Sequence, residues 1–464
     1  DAPVKGHVLH HWDPENPEFW ERTGARIARR NLWISIISLT LSFAIWVLWS
    51  VVTVNLDKVG FRFTSNQLFW LTALPALSGA TLRVFYSFMV PIFGGRRWTV
   101  ISTLSLLLPA VGMGIALQDS STSYSTLLIL AALCGLGGGN FSSSMANISF
   151  FYPKAKKGTA TGLNAGIGNL GVSLAQFVVP LVISSAMVGS FTGEGLHYVE
   201  KGVEKTLWLQ NAGFVWVPFI VISAILAWFG MNDIADAKAS FKDQAIIFRR
   251  KHNWLMCWLY VGTFGSFIGF SAGLALLTKS QFPDVNPTQY AFLGPLVGAL
   301  TRPVGGWISD RLKAGATVTL YTFLLMVLGV VGVLFTLPSE GHAGNFPAFL
   351  GMFILLFALS GIGNGSTFRM IPVIFLTART QEAEKTPEAQ RQAVVQGNKE
   401  ASAVLGFSGA VGAYGGFFIP KSFGTSLEAT GSVDMALYAF IAFYLSCMVV
   451  TWWFYARKGA RTPC

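Results

Sequence analysis

Charge is what this sequence has least of. Asp, Glu, Lys and Arg make up 12% of it, about half the share usual in a soluble domain. None of the 22 acidic residues lies well inside an apolar run, so a charge buried in the middle of one has no carboxylate beside it in sequence. None of the 6 His lies in an apolar run, and the 4 Cys (Cys134, Cys257, Cys447 and Cys464) have no paired spacing. These absences exclude a disulfide framework, a metal-ligand set and a redox motif, and no metal or other cofactor is expected. Neither a nucleophile–base constellation nor a phosphate loop is present, because the glycine-rich stretches lie in apolar runs. An enzyme and an ATP-driven engine are therefore set aside. The first apolar run begins at Leu32 and is long enough to span a bilayer, so no cleavable signal segment is expected.

Apolar residues are abundant instead: 52% of the chain is hydrophobic, with 38 Phe and 49 Gly, and the mean hydropathy is +0.53. Apolar segments fall at 32–56, 66–93, 98–117, 124–152, 159–190 and 211–231. They resume at 254–278, 289–308, 316–337, 346–376, 401–420 and 433–455. Each can cross about 30 Å of hydrocarbon as a helix. The fold class expected is an all-α polytopic membrane protein with 12 transmembrane helices in two six-helix bundles. Its domains are a cytoplasmic segment 1–31, a bundle 32–231, a linker 232–253, a second bundle 254–455 and a tail 456–464. With the N-terminus inside, 24 of the 33 basic residues fall in cytoplasmic segments and six in outer loops, which puts both termini in the cytoplasm. The net charge of +11 follows from that bias and does not call for nucleic acid.

The two halves repeat each other. Gly79-Ala80-Thr81-Leu82-Arg83 returns as Gly298-Ala299-Leu300-Thr301-Arg302, 219 positions on. Gly135, Gly137 and Gly139 return as Gly361, Gly363 and Gly365, and Gly162, Gly168 and Gly171 as Gly406, Gly412 and Gly415. Parallel six-helix halves with the substrate site at their interface are a transporter plan. An arginine at mid-bilayer costs roughly 2.5–3.5 kcal/mol on insertion scales and cannot be neutralised by losing its proton. Two of them at matching depth, Arg83 and Arg302, predict a site for an anion, and the planar guanidinium suits an oxyanion better than a halide. The alternative is that backbone carbonyls or snorkelling hold them. Arg369 lies near a helix end and reads either as a snorkelling residue or as part of inward anion release.

The glycine rows of helices 5 and 11 predict close helix packing, with or without a role in motion. Asn164 and Asn169 need polar partners, and a bound anion is one candidate. Phe141, Tyr260, Phe264 and Phe267 read as core from composition alone. The polar loop 377–400 reads as a solvated connector, and 232–253 as a surface helix plus linker.

The longer motifs are more specific. Arg30-Asn31-Leu32-Trp33-Ile34-Ser35, the run from Ser87 to Trp98, Ser144-Met145-Ala146-Asn147-Ile148-Ser149-Phe150-Phe151, the run from Thr263 to Gly273, Gln281-Phe282-Pro283-Asp284-Val285 and Gly415-Gly416-Phe417-Phe418-Ile419-Pro420-Lys421 resemble the NarK-type nitrate/nitrite porters of the major facilitator superfamily. The resemblance runs from Arg30 to the end of the twelfth helix. It implies that Arg83 and Arg302 clamp the anion, that Phe141 and Phe264 hold it flat, and that Tyr260 and Asn169 belong to the site. It also implies that the glycine rows, with Gly166 and Gly409, are the family's signature motifs. Ala165 and Gly409 depart from the residues that family has there, and Arg369 stands where Gln is expected. The function implied is nitrate/nitrite antiport by alternating access in a bacterial inner membrane, by a monomer with nitrate, nitrite and the lipid bilayer as its partners. Proton-coupled nitrate symport, organic-phosphate exchange and a nitrate sensor with the same fold are the alternatives.

Overall fold

The computed structural model describes residues 6–186, 191–235 and 241–464. The chain divides into two units, Asp1–Ala239 with Asn286–Phe292, and Ser240–Val285 with Leu293–Cys464. The first contains six long helices: α1 (Pro17–Asn55), α2 (Ser65–Tyr86), α3 (Gly95–Ala116), α4 (Tyr124–Phe151), α5 (Lys154–Ser184) and α6 (Asn211–Gly230). The second contains α7 (Lys251–Gln281), α9 (Gly315–Thr336), α10 (Phe346–Glu382), α11 (Pro387–Thr430) and α12 (Asp434–Ala456), together with α8 (Leu293–Leu312). Among the described residues, 11 of these helices are long and apolar enough to cross a membrane. The remaining one, α8, is long enough but more polar, because Arg302, Asp310 and Arg311 lie within it.

Local chemistry sets the helix starts. Thr64 and Gln67 form a reciprocal capping box at the start of α2. Ser123 caps α4, Asn345 caps α10 and Thr386 caps α11, the last two followed by proline in the first turn. Gly94, with φ +87°, turns the chain into α3. Large apolar side chains such as Ile115, Phe229 and Leu328 remain exposed on the helices. That would be a liability in water and is what a lipid solvent requires.

Two expectations about the connections change. The stretch 377–400 is largely exposed but mostly helical: α10 runs on to Glu382 and α11 starts at Pro387. Within α11, Glu400 is only 1% exposed and pairs with Arg250 and with Arg379. Apolarity alone had placed the helix boundary too late, because an amphipathic helix can continue beyond its apolar part. In the linker, a strand at Asp233–Ile234 pairs in parallel with Val8–Leu9. Asp233 is buried, accepts from the Arg96 backbone amide at 2.8 Å and lies 3.5 Å from the Arg96 guanidinium. Residues 236–240 of the expected linker lie outside the described residues. A β-hairpin, Leu196–Glu200 with Val203–Leu207, stands between α5 and α6.

Candidate functional site

The repeated Gly-Ala-x-x-Arg motif works the same way in each unit. A Cβ on Gly79 would come within 2.6 Å of Trp46 Nε1 on α1, and one on Gly298 within 2.6 Å of the Phe267 ring on α7. Glycine therefore lets α2 lie against α1 and α8 against α7 at the same step. The partner glycines continue the match. A Cβ on Gly135 would strike Ser78 of α2, and one on Gly361 would strike Thr301 of α8. Each arginine follows one turn later, on a helix held close to its neighbours.

In the first unit Arg83 is 1% exposed. Its Nε donates to the Gly138 carbonyl at 2.9 Å, and its own carbonyl accepts from Ser142 Oγ at 2.6 Å. The guanidinium carbon stands 4.6 Å from the Phe141 ring centre and 4.9 Å from that of Trp46. Trp46 is fixed in turn by donating to the Pro75 carbonyl at 2.8 Å. The cation is thus held by a carbonyl and two π-faces, each contact of the latter kind worth about 0.5–2 kcal/mol.

In the second unit Arg302 is half-buried. One terminal nitrogen, Nη2, is 3.3 Å from the Tyr260 hydroxyl, and the guanidinium carbon is 4.5 Å from the Phe368 ring centre. The other, Nη1, is buried without a hydrogen-bond partner. Among the described residues no carboxylate pairs with Arg302. Phe264 stacks on Tyr260, ring centres 5.4 Å apart and planes 7° apart, and Phe368 meets Tyr260 edge-on at 5.0 Å. A buried donor of a permanent cation with nothing to bond is costly, and it can be satisfied by an oxygen acceptor from solution.

The structure therefore gathers Arg83 with Phe141, and Arg302 with Tyr260 and Phe264. Trp46, Phe368 and the Gly138 carbonyl join them, and no sequence signal separated these from the many other aromatics and glycines. Asn164 donates to Ser144 Oγ at 2.9 Å, and that hydroxyl bonds Ser35 at 2.7 Å, so its amide tethers α5 to α4 and α1. Asn169 is 2% exposed, and its side-chain oxygen has no partner. Arg369 Nε donates to Asp310 at 3.1 Å, and that carboxylate is exposed near the end of α8.

The glycine rows divide by helical face. Gly168 and Gly171 lie against Leu39, Thr40 and Phe43 of α1; Gly412 and Gly415 lie against Tyr260 and Gly265 of α7. Gly162, Gly166 and Gly406 have no atom within 4 Å of an added Cβ. Gly409 is buried in α11.

Residues 32–395 match the Major Facilitator Superfamily. The nitrate/nitrite transporter NarU of Escherichia coli K12 is 52% identical over 97% of both chains. The probable nitrate/nitrite antiporter NarK2 of Thermus thermophilus is 43% identical over 99% of both. Among solved structures, a D-xylose–proton symporter matches with a TM-score of 0.64 at 12% identity, over 92% of this chain and 97% of its own. A bacterial homologue of the lysosomal transporter Spinster, in an inward-facing and unoccupied conformation, matches with a TM-score of 0.63 at 13% identity, over 93% and 96% of the two chains.

Proposed function

This chain belongs to the Major Facilitator Superfamily and, within it, to the nitrate/nitrite transporters, and from that premise we propose that it exchanges nitrate for nitrite across the inner membrane by alternating access. In this reading Arg83 and Arg302 are the residues that bind the anion. The observation that carries this reading is the buried Nη1 of Arg302, which has no hydrogen-bond partner beside an otherwise ordered Tyr260–Phe264–Phe368 cluster. A planar oxyanion lying against these aromatic faces would accept from the guanidinium and cancel its charge.

Exchange follows from charge. With a monovalent anion bound, one of the two guanidinium charges is balanced and the loaded state can rearrange; empty, both are left unbalanced and disfavour the return step. Glu400 is a buried carboxylate in α11, but Arg250 and Arg379 already hold it. It is thus committed to a structural ion cluster, which leaves exchange better supported than proton coupling.

Purified protein in liposomes tests both parts. Nitrate entry should require nitrite (or nitrate) inside and ignore an imposed pH gradient. Uptake into anion-free vesicles driven by inward protons would make the protein a symporter, and nitrate binding without any flux would make it a sensor. Arg302→Ala should fold normally and lose exchange, and normal exchange by that variant would remove Arg302 from the site.

A further inference from the structure

The second unit contains a cavity that the transport reading does not use. It has a volume of about 420 Å³ and lies where the start of α7, the end of α10 and the end of α12 meet residues 457–462. Lys251, His252, Glu382, Trp453, Arg457 and Arg461 contribute to its lining. The charge is one-sided. Glu382 is the only carboxylate in the lining, and it is already paired with Arg379 at 3.0 Å. Among the described residues, Lys251, Arg457 and Arg461 form no ion pair.

The cationic groups are held by aromatic and backbone contacts that leave donors over. Arg457 donates Nε to the Trp453 carbonyl at 2.7 Å and lies 4.2 Å from the Trp453 ring centre. Lys251 stands 5.5 Å from the Phe454 ring centre. The Arg461 carbonyl accepts from Gln381 at 3.0 Å, which ties the 457–462 segment to α10. His252 is bonded to the Tyr455 hydroxyl at 2.8 Å.

We propose that this cavity binds the headgroup of an anionic phospholipid. Three permanent cations beside a neutralised carboxylate select a phosphate, and basic pockets at helix ends are a recurrent form of headgroup recognition. The neighbouring surface identifies a lipid as the source. Trp452 and Trp453 are both about half exposed beside the cavity, where a bilayer interface places tryptophan. An exposed apolar face continues from there along α7 and α12. Trp258 of α7 donates to Ser446 of α12 at 3.0 Å, and Leu445 and Val449 lie open beside it. A diacyl lipid can put its phosphate in the cavity and its chains along this seam, which a free anion cannot do.

Native mass spectrometry of the full-length protein in detergent tests this with added phosphatidylglycerol, phosphatidylcholine or inorganic phosphate. Phosphatidylglycerol should remain bound in preference to phosphatidylcholine. The double variant Arg457→Gln, Arg461→Gln should hold it roughly thirtyfold more weakly, at about fivefold per lost cation. Lys458→Gln, which removes an exposed charge outside the lining, should bind as the parent does. If the double variant does not fold, Lys251→Gln alone should weaken binding about fivefold. Equal retention of the two lipids, equal loss in Lys458→Gln, or displacement of the lipid by millimolar phosphate would each overturn the proposal. Because the readout is lipid retention, the result is independent of which anion is transported.

Discussion

Arg83 and Arg302 are alike in sequence and unlike in their surroundings. Arg83 is fully enclosed, with a carbonyl and two aromatic faces around it, whereas Arg302 is half-buried. Arg83→Lys should fold less stably and lose transport, because a compact, strongly hydrated ammonium lacks the planar fork that bonds the Gly138 carbonyl while facing two rings. Arg302→Lys should fold as the parent does and also lose transport, which a thermal melt paired with an exchange assay will separate. Tyr260→Phe removes only the hydroxyl 3.3 Å from Arg302. It should raise the KM for nitrate about fivefold, in keeping with about 1 kcal/mol for one hydrogen bond, without changing the melt. Glu400→Ala tests a different kind of residue. It strands Arg250 and Arg379 in a largely buried cluster and should cost about 3 kcal/mol, read as a lowered unfolding midpoint.

At the scale of the element, the glycine rows of α5 and α11 look uniform in sequence but divide between a packed face and an open one. Gly171 meets the Thr40 carbonyl of α1, so Gly171→Ala must push two backbones apart and should cost about 1–3 kcal/mol. Gly162 has open space around it, and Gly162→Ala should fold at least as well as the parent, since alanine is the better helix former by about 1 kcal/mol. If Gly162→Ala melts normally yet transports poorly, the open glycines serve motion or passage rather than packing. Normal transport by that variant would leave them without a role. The matching behaviour of Gly406 and of the pair Gly412 and Gly415 in α11 makes the same comparison available in the other unit. The spacing of the rows was legible in the sequence. Which glycine touches a neighbour was not, because that depends on the rotation of each helix about its axis.

The whole molecule is two six-helix units whose internal repeat reaches down to single contacts, as Gly79 on Trp46 and Gly298 on Phe267 show. The count of basic residues assigns the termini and the central linker to one side of the membrane and the hairpin between α5 and α6 to the other. Cysteine labelling checks that arrangement. Lys205→Cys, exposed in the hairpin, should react with an impermeant maleimide in intact cells, and Lys458→Cys only after permeabilisation. The reverse order would invert the topology. The background is low, since Cys134, Cys257 and Cys447 are buried, and burial pushes the Cys464 thiol up to about 12.

The sequence by itself determined the class, the long helices and the twofold repeat, and it singled out the two arginines on which the proposed anion site rests. Each of these is a one-dimensional property: apolar length, periodic glycine, or the cost of a permanent charge in hydrocarbon. Only the tertiary structure decided which aromatic faces enclose Arg83 and Arg302. It also decided that Asn164 ties α5 to α4 and α1, and that Glu400 and Asp233 are buried ion partners in stretches that read as polar surface. Those outcomes depend on which helix faces meet. Ion pairs such as Arg250 with Glu400 and Arg96 with Asp233 join residues more than a hundred positions apart, through contacts that exist only once the helices have packed.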